Sequence, residues 1–237
     1  MPVITFANTK GGAGKTTAVL LLSTELARRG YRVTILDADP QHWISHWYEI
    51  SGHVPNISVI DFVTSASLPV HLSENSATDY FILDLPGART PLLATALGLS
   101  DHVLIPIQGC AMDARGGAQV LELLQYLEQR AGIHINHSVV LTRVNSMVTT
   151  RALQVVKTLL SERSVTVLET PIIERSAFRD IFDCGGTLYT MDPNRVSNLD
   201  KAQENARAFA EEMMRLVPAR LTASARSVGH EAIRSAA

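Results

Sequence analysis

Lys10-Gly11-Gly12-Ala13-Gly14-Lys15-Thr16-Thr17 is the stretch whose reading decides the fold. It follows the short apolar run Val3–Ala7. It precedes a segment, 15–29, whose Val19, Leu22 and Leu26 recur at helical spacing. A strand, a glycine-rich bend and a helix in that order make the context of a phosphate-binding loop. Glycines let the backbone curl until its N–H groups converge on an anion, and the positive end of the helix points at the same place. Lys15 is then expected to reach the β- and γ-phosphates of a nucleotide, and Thr16 to offer its hydroxyl to Mg²⁺. The ordinary pattern G-x-x-x-x-G-K-[ST] would put its first glycine at position 9, which is Thr9. The loop instead carries Lys10 ahead of two glycines. Two ammonium groups in one tight bend repel unless anionic oxygens lie between them. Lys10 therefore points to a highly charged ligand, or to a ligand held on a second subunit.

Outward from the loop, short apolar runs alternate with helical patterns. The runs are Val3–Ala7, Arg32–Leu36, Ile57–Asp61, Tyr80–Leu85, His102–Ile107, Ser138–Val144 and Val165–Leu168. Most are continuously apolar, as strands of a parallel sheet buried on both faces must be. Helices are expected over 15–29, after Asp39, over 113–130, and where Leu199, Ala202, Ala206, Phe209, Met213 and Leu216 repeat at 3 and 4. Ser197 and Asp200 read as the start of that last helix. The alternation predicts an α/β, doubly wound, mostly parallel sheet with helices on both faces. Residues 62–78 read as an irregular surface excursion. The domain organisation expected is one domain over 1–216 and an Ala/Ser/Arg-rich tail over 217–237.

Two further stretches close on carboxylates. Leu36-Asp37-Ala38-Asp39-Pro40-Gln41 ends the second apolar run, and Tyr80–Leu83 ends on Asp84 before Leu85-Pro86-Gly87. Asp37 and Asp39 are two apart, the spacing of one face of an extended chain. Carboxylates ~8 Å apart repel by about 2 kcal/mol per pair at an effective dielectric of 20. Three of them around one loop call for cations, and Lys15 and Mg²⁺ are the ones available.

Together these motifs resemble the ParA/MinD family of deviant-Walker ATPases. Lys10–Thr17 is similar to the family's deviant Walker A motif, Leu36–Gln41 to its A-prime motif, and Ile82–Gly87 to its Walker B. Ile105-Pro106 followed by Asp113 is similar to the stretch after Walker B, and Leu141-Thr142-Arg143-Val144-Asn145 to a strand end near the base. The resemblance runs over roughly 1–215 and is nearest to small plasmid-partition ParA proteins that lack a preceding helix-turn-helix domain. It implies ATP and Mg²⁺ as cofactors. Gly11, Gly12, Ala13, Gly14, Lys15, Thr16 and Thr17 would bind the phosphates. Lys10 would reach the partner subunit's nucleotide, so that ATP is sandwiched in a homodimer. Asp39 would orient the attacking water. Thr16, Asp37 and Asp84 would hold the metal, and Arg143, Asn145 and Pro171 would lie near the adenine, Pro171 with Ile172–Arg175 closing the base pocket. The resemblance also implies sequence-independent DNA binding and a centromere-binding adaptor, ParB-like or ribbon-helix-helix. The location implied is cytoplasmic, on the nucleoid when ATP is bound. Kindred alternatives are an accessory ATPase of conjugative or T-DNA transfer, a MinD-like membrane organiser, and a module that binds nucleotide without hydrolysis.

Composition predicts a soluble α/β protein. The 237 residues are 46% hydrophobic and 19% charged with net charge −2, which excludes global disorder and a polycation. Cys110 and Cys184 are too far apart in sequence for a CxxC metal or redox motif. No apolar run approaches the ~18 residues of a membrane span, and no signal peptide is expected before the loop. His42 and His46, one turn apart, lack a third ligand in the sequence. Trp43 and Trp47 share that spacing and are expected to pack. Arg195, Arg207, Arg215, Arg220 and Arg226 are candidates for DNA phosphates, although Glu204, Glu211 and Glu212 are interleaved.

Overall fold

A computed structural model describes residues 1–108, 111–145, 154, 158, 160 and 165–219. Its strands and helices, in chain order, are β1 (Val3–Phe6), α1 (Lys15–Arg28), β2 (Val33–Asp37), α2 (Trp43–Ser51), β3 (Ile57–Ile60), α3 (Leu68–Glu74), β4 (Tyr80–Asp84), α4 (Pro91–Gly98) and β5 (His102–Gln108). There follow α5 (Ala111–Ala131), β6 (Asn136–Val144), β7 (Ile172–Ile173), α6 (Ala177–Cys184) and α7 (Leu199–Leu216). The seven strands form one sheet in the order β3-β2-β4-β1-β5-β6-β7. Every pairing is parallel.

Alternation along the buried strands sends neighbours to opposite faces. Ile35 and Ile82 join one core with Val19 and Leu22 of α1, Trp47 of α2, Ile181 of α6 and Phe209 of α7. Leu36 and Leu83 join the other with Leu68 of α3, Leu93 and Leu97 of α4, and Val120 and Leu124 of α5. Helices thus cover both faces, as a doubly wound sheet requires. The chain crosses between β1 and its two neighbours, β4 and β5, at the centre of the sheet. Such a reversal of strand order opens a crevice at the carboxyl ends, and the loop after β1 lies there.

Several expectations need correction. Residues 62–78 are not wholly irregular: α3 forms there, with Pro69 in its first turn and Leu68 buried. Ahead of it the Thr64 and Ser67 hydroxyls each accept the other's backbone N–H. Val165–Leu168 is not a full strand. It makes one bridge, Val139 to Val167, in which Val139 N–H donates to Thr166 O and Leu168 N–H to Val139 O. The seventh strand is Ile172–Ile173, which joins β6 across a register break between Thr142 and Val144. Arg143, at that break, has φ 52. Helix α7 starts from Asn198, not Ser197, and Asn198 takes the left-handed conformation with no side-chain cap. At the end of α7, Val217 is buried and its carbonyl accepts the Tyr80 hydroxyl at 3.0 Å. Cys110 and residues 220–237, with Arg220 and Arg226, lie outside the described residues, as does the side chain of Asp113.

Candidate active site

The phosphate loop starts where β1 ends. Gly14, the residue before α1, has φ 88, a left-handed turn that the missing Cβ makes inexpensive. Its neighbours come from the carboxyl ends of flanking strands. Thr142 Oγ1 at the end of β6 donates to Ala13 O at 2.8 Å, and the Gln108 side-chain amide of β5 donates to Gly12 O. Gly87, just past β4, presses on the loop from the other side. A Cβ built there would stand 2.6 Å from Gly11 N and 2.8 Å from Lys10 C. Lys15 is buried and its Nζ donates to Lys10 O at 3.3 Å. Burial lowers the Lys15 pKa, against the pull of Asp84 and Asp39.

Asp84 is the most telling group. It ends β4, is fully buried, and neither carboxylate oxygen has a hydrogen-bond partner. Burial pushes its pKa up to about 7. The Thr16 hydroxyl and the Lys15 ammonium oppose that shift without closing a hydrogen bond on either oxygen. An unpartnered buried carboxylate is costly. Beside a threonine hydroxyl and a lysine in a phosphate loop, it is a fit for a hydrated Mg²⁺, an oxygen-seeking cation that keeps several waters.

Asp37 differs. Strand β2 ends on it, so the alternation does not carry on to Asp39. The Asp37 Oδ2 accepts Ser45 N–H at 2.9 Å and Ser45 Oγ–H at 2.8 Å, and Oδ1 accepts Asp39 N–H at 3.3 Å. Burial raises its pKa and the Ser45 hydrogen bonds moderate the rise. Asp37 thus anchors the start of α2. Asp39 is half-buried, and its Oδ1 accepts Gln41 N–H at 2.9 Å.

Sequence spacing offers His42 and His46 no third ligand. The structure brings two carboxylates to His42. His42 Nδ1 meets Asp61 Oδ1 at 2.6 Å, and ligand atoms of Asp37, His42 and Asp61 lie within 4.8 Å of one another. Asp61 also accepts Phe62 N–H at 2.7 Å. The cluster is closed by its own hydrogen bonds. Trp47 packs in the core as expected, whereas Trp43 is 49% exposed.

Of the three residues expected near the adenine, Arg143 lines a small cavity with Gly14, Thr17, Ile172, Ile173, Glu174 and Arg175. Asn145 and Pro171 do not line it. Pro171 O accepts Asn205 Nδ2–H at 2.8 Å, tying that segment to α7. A cavity of about 920 Å³ lies at the other end of α1, walled in part by Arg28, Tyr189 and Arg195. Size does not locate the site here. The left-handed glycine turn ahead of α1 and the orphaned Asp84 carboxylate mark the candidate site instead.

A family model described as "VirC1 protein" matches residues 1–223. The chain belongs to the VirC1 family. Protein ParA of Rhizobium radiobacter is 37% identical over 212 residues, 89% of this chain and 95% of that protein. Protein virC1 of Rhizobium rhizogenes is 25% identical, over 90% of this chain and 95% of its own length. Among solved structures, a plasmid partition protein from Borrelia burgdorferi B31 bound to AMPPNP superposes with TM-score 0.64 at 20% identity, covering 90% of this chain and 98% of that one. This VirC1-family chain is therefore a ParA-like deviant-Walker ATPase, an ATP-hydrolysing P-loop enzyme of the ParA/MinD partition type. Among the described residues, no helix is long and apolar enough to cross a membrane.

Proposed function

We propose that this protein is a Mg²⁺-dependent ATPase that switches between a monomer and an ATP-sandwich dimer, binds DNA without sequence preference as a dimer, and so partitions plasmid or other DNA cargo with an adaptor. The observation that carries the reading is the buried, unpartnered Asp84 beside Lys15 and Thr16. Thr16 and Asp84, with Asp37 behind them, would hold Mg²⁺, which supplies charge neutralisation on the phosphates. The loop amides of Gly11–Thr17 and Lys15 would cradle the phosphates. Lys10 would complete the partner copy's site, and Asp39 would orient the attacking water. Arg143 would lie along the base, with Asn145 and Pro171 acting from outside the cavity. The protein would work in the cytoplasm, on the nucleoid in its ATP form. A ParB-like or ribbon-helix-helix adaptor would accelerate an otherwise slow hydrolysis and release the DNA.

A second reading shares this chemistry and changes the cargo: an accessory ATPase that brings a relaxase complex to transferred DNA. The family match over 1–223 favours it, while the 37% identity to a ParA protein favours partition. The neighbouring genes separate them, since partition needs an adaptor gene and transfer needs transfer genes.

Light scattering with ADP, ATP and a slowly hydrolysed analogue, with and without DNA, tests the switch. A doubling of mass with ATP or the analogue, absent with ADP, is expected. Lys15→Ala should abolish nucleotide binding. Lys10→Ala should bind ATP and stay single. A wild-type protein that remains monomeric at saturating ATP overturns the proposal.

A further inference from the structure

The residue at the place of the usual first glycine is not a passive substitute. Thr9 Oγ1 donates to Gln119 Oε1 at 2.6 Å and approaches Gly116 O at 3.3 Å. Both partners belong to α5, more than 100 residues on. Asn8, buried on the preceding position, accepts Lys10 N–H through Oδ1 at 2.9 Å and donates from Nδ2 to Pro106 O at 2.7 Å. Gly116 leaves no space between helix and loop. A Cβ there would meet Asn8 Oδ1 at 2.2 Å and Lys10 Cγ at 2.8 Å. The backbone and stem of Lys10 are thus set by contacts to β5 and α5, not by the loop alone.

We infer that Asn8, Thr9 and Gln119 are positioning residues for Lys10, coupling the entry of the phosphate loop to α5 so that the seat of α5 governs where the Lys10 ammonium is presented. The inference rests on the reading of Lys10 as the residue that completes a second copy's site. Three features support it. The tether joins elements distant in sequence. It spares the Gly11–Thr17 amides, which bind the phosphates. And the close approach at Gly116 transmits any shift of α5 to Lys10 directly, because packed groups are not freely deformable. A partner that leans on α5 would then alter turnover without touching nucleotide.

The test uses the full chain with Thr9→Val, which keeps the shape and removes the hydroxyl, Gln119→Leu, and Thr9→Ser as the conservative rescue. In nucleotide-free protein, Thr9→Val and Gln119→Leu should each speed amide hydrogen exchange of the loop segment 9–12 by about fivefold, as loss of one neutral hydrogen bond implies, and Thr9→Ser should not. In turnover, both should lower kcat by about the same factor with ATP affinity within about twofold of wild type, and neither should lower it further in a Lys10→Ala background. Exchange unchanged by Thr9→Val and Gln119→Leu overturns the coupling. A fall in kcat that persists undiminished on top of Lys10→Ala overturns the route through Lys10. Should the wild type fail to dimerise or to hydrolyse ATP, the reading of Lys10 fails, and the exchange experiment still decides whether the loop is tied to α5.

Discussion

Asp84 shows how one residue fixes the chemistry of a site. Its carboxylate is desolvated with no hydrogen bond to offset the cost, so the nucleotide-free protein carries a destabilising group that the proposed cation would relieve. Asp84→Asn should raise the melting temperature of the nucleotide-free protein at pH 8, by a few degrees if roughly 1–2 kcal/mol is recovered. The same change should erase the extra stabilisation that Mg²⁺ adds to ATP. Differential scanning fluorimetry reads both, and an unchanged Mg²⁺ response would remove Asp84 from the metal's surroundings. His102 makes a separate residue-scale case. Burial, assisted by nearby His137, pushes its pKa down to about 4, and its Nε2 lies 2.8 Å from Ser138 Oγ. The folded pKa is below the unfolded value of about 6.5, so the unfolded chain takes up the proton first. Stability is whole above about pH 6.5 and falls as pH drops toward 4, by on the order of 3 kcal/mol from this group. Urea unfolding at pH 7 and pH 4.5 should show that loss in wild type and a smaller one in His102→Asn.

At the scale of elements, the site is made by strand ends converging on one loop, and the spaces between them are as specific as the side chains. Gly87→Ala would put a methyl carbon inside contact distance of Gly11 N, which is backbone and cannot rotate away. The substitution should cost at least tenfold in ATP affinity with little change in far-ultraviolet circular dichroism, since a displaced loop amide loses its phosphate contact. Titration with a fluorescent ATP analogue measures it. Much of this layer was legible in advance. Continuous apolar runs announced parallel strands, and the carboxylates at their ends announced the crevice. The illegible parts are those decided by tertiary contact. Ile172–Ile173 is too short to register as a strand and exists because β6 re-pairs past Arg143. Leu68 gives α3 one buried anchor in a Ser- and Ala-rich stretch that has no periodic stripe. The pairing of His42 with Asp61 joins residues 19 apart, which spacing alone does not reveal. Thr9 looked like a departure from a motif because Gln119 lies too far along the chain to be associated with it by pattern.

For the whole molecule, a net charge of −2 hides an uneven distribution, with the basic residues gathered toward the C-terminal part. Of the described arginines put forward for DNA, Arg195 and Arg215 are exposed, while Arg207 is half-buried and shares α7 with Glu204 and Glu211. Glu211 is already engaged with Arg29 at 2.8 Å, and Glu204 with Lys201 at 2.9 Å. Both glutamates also feel the charge of Arg207, and Glu211 that of Arg215. If DNA is held through phosphates, affinity of the ATP form should fall steeply between about 50 and 200 mM salt, linearly in log–log form, with a slope near the number of phosphates engaged. Fluorescence anisotropy with duplexes of unrelated sequence should give the same slope for each. A flat response removes the arginines from the account.

The different surroundings of the two tryptophans have a practical consequence. Trp47 is sealed in the interior, with its indole N–H donated to Gly186 O at 2.9 Å, while Trp43 stands half in solvent on the first turn after the A-prime stretch. Their emission therefore divides into a blue, shielded component and a red, quenchable one, and the second sits a few residues from Asp39. Any rearrangement of that loop during the catalytic cycle changes the colour and quenching of the native protein's own light, so the cycle can be followed in a stopped-flow cuvette without attaching a dye.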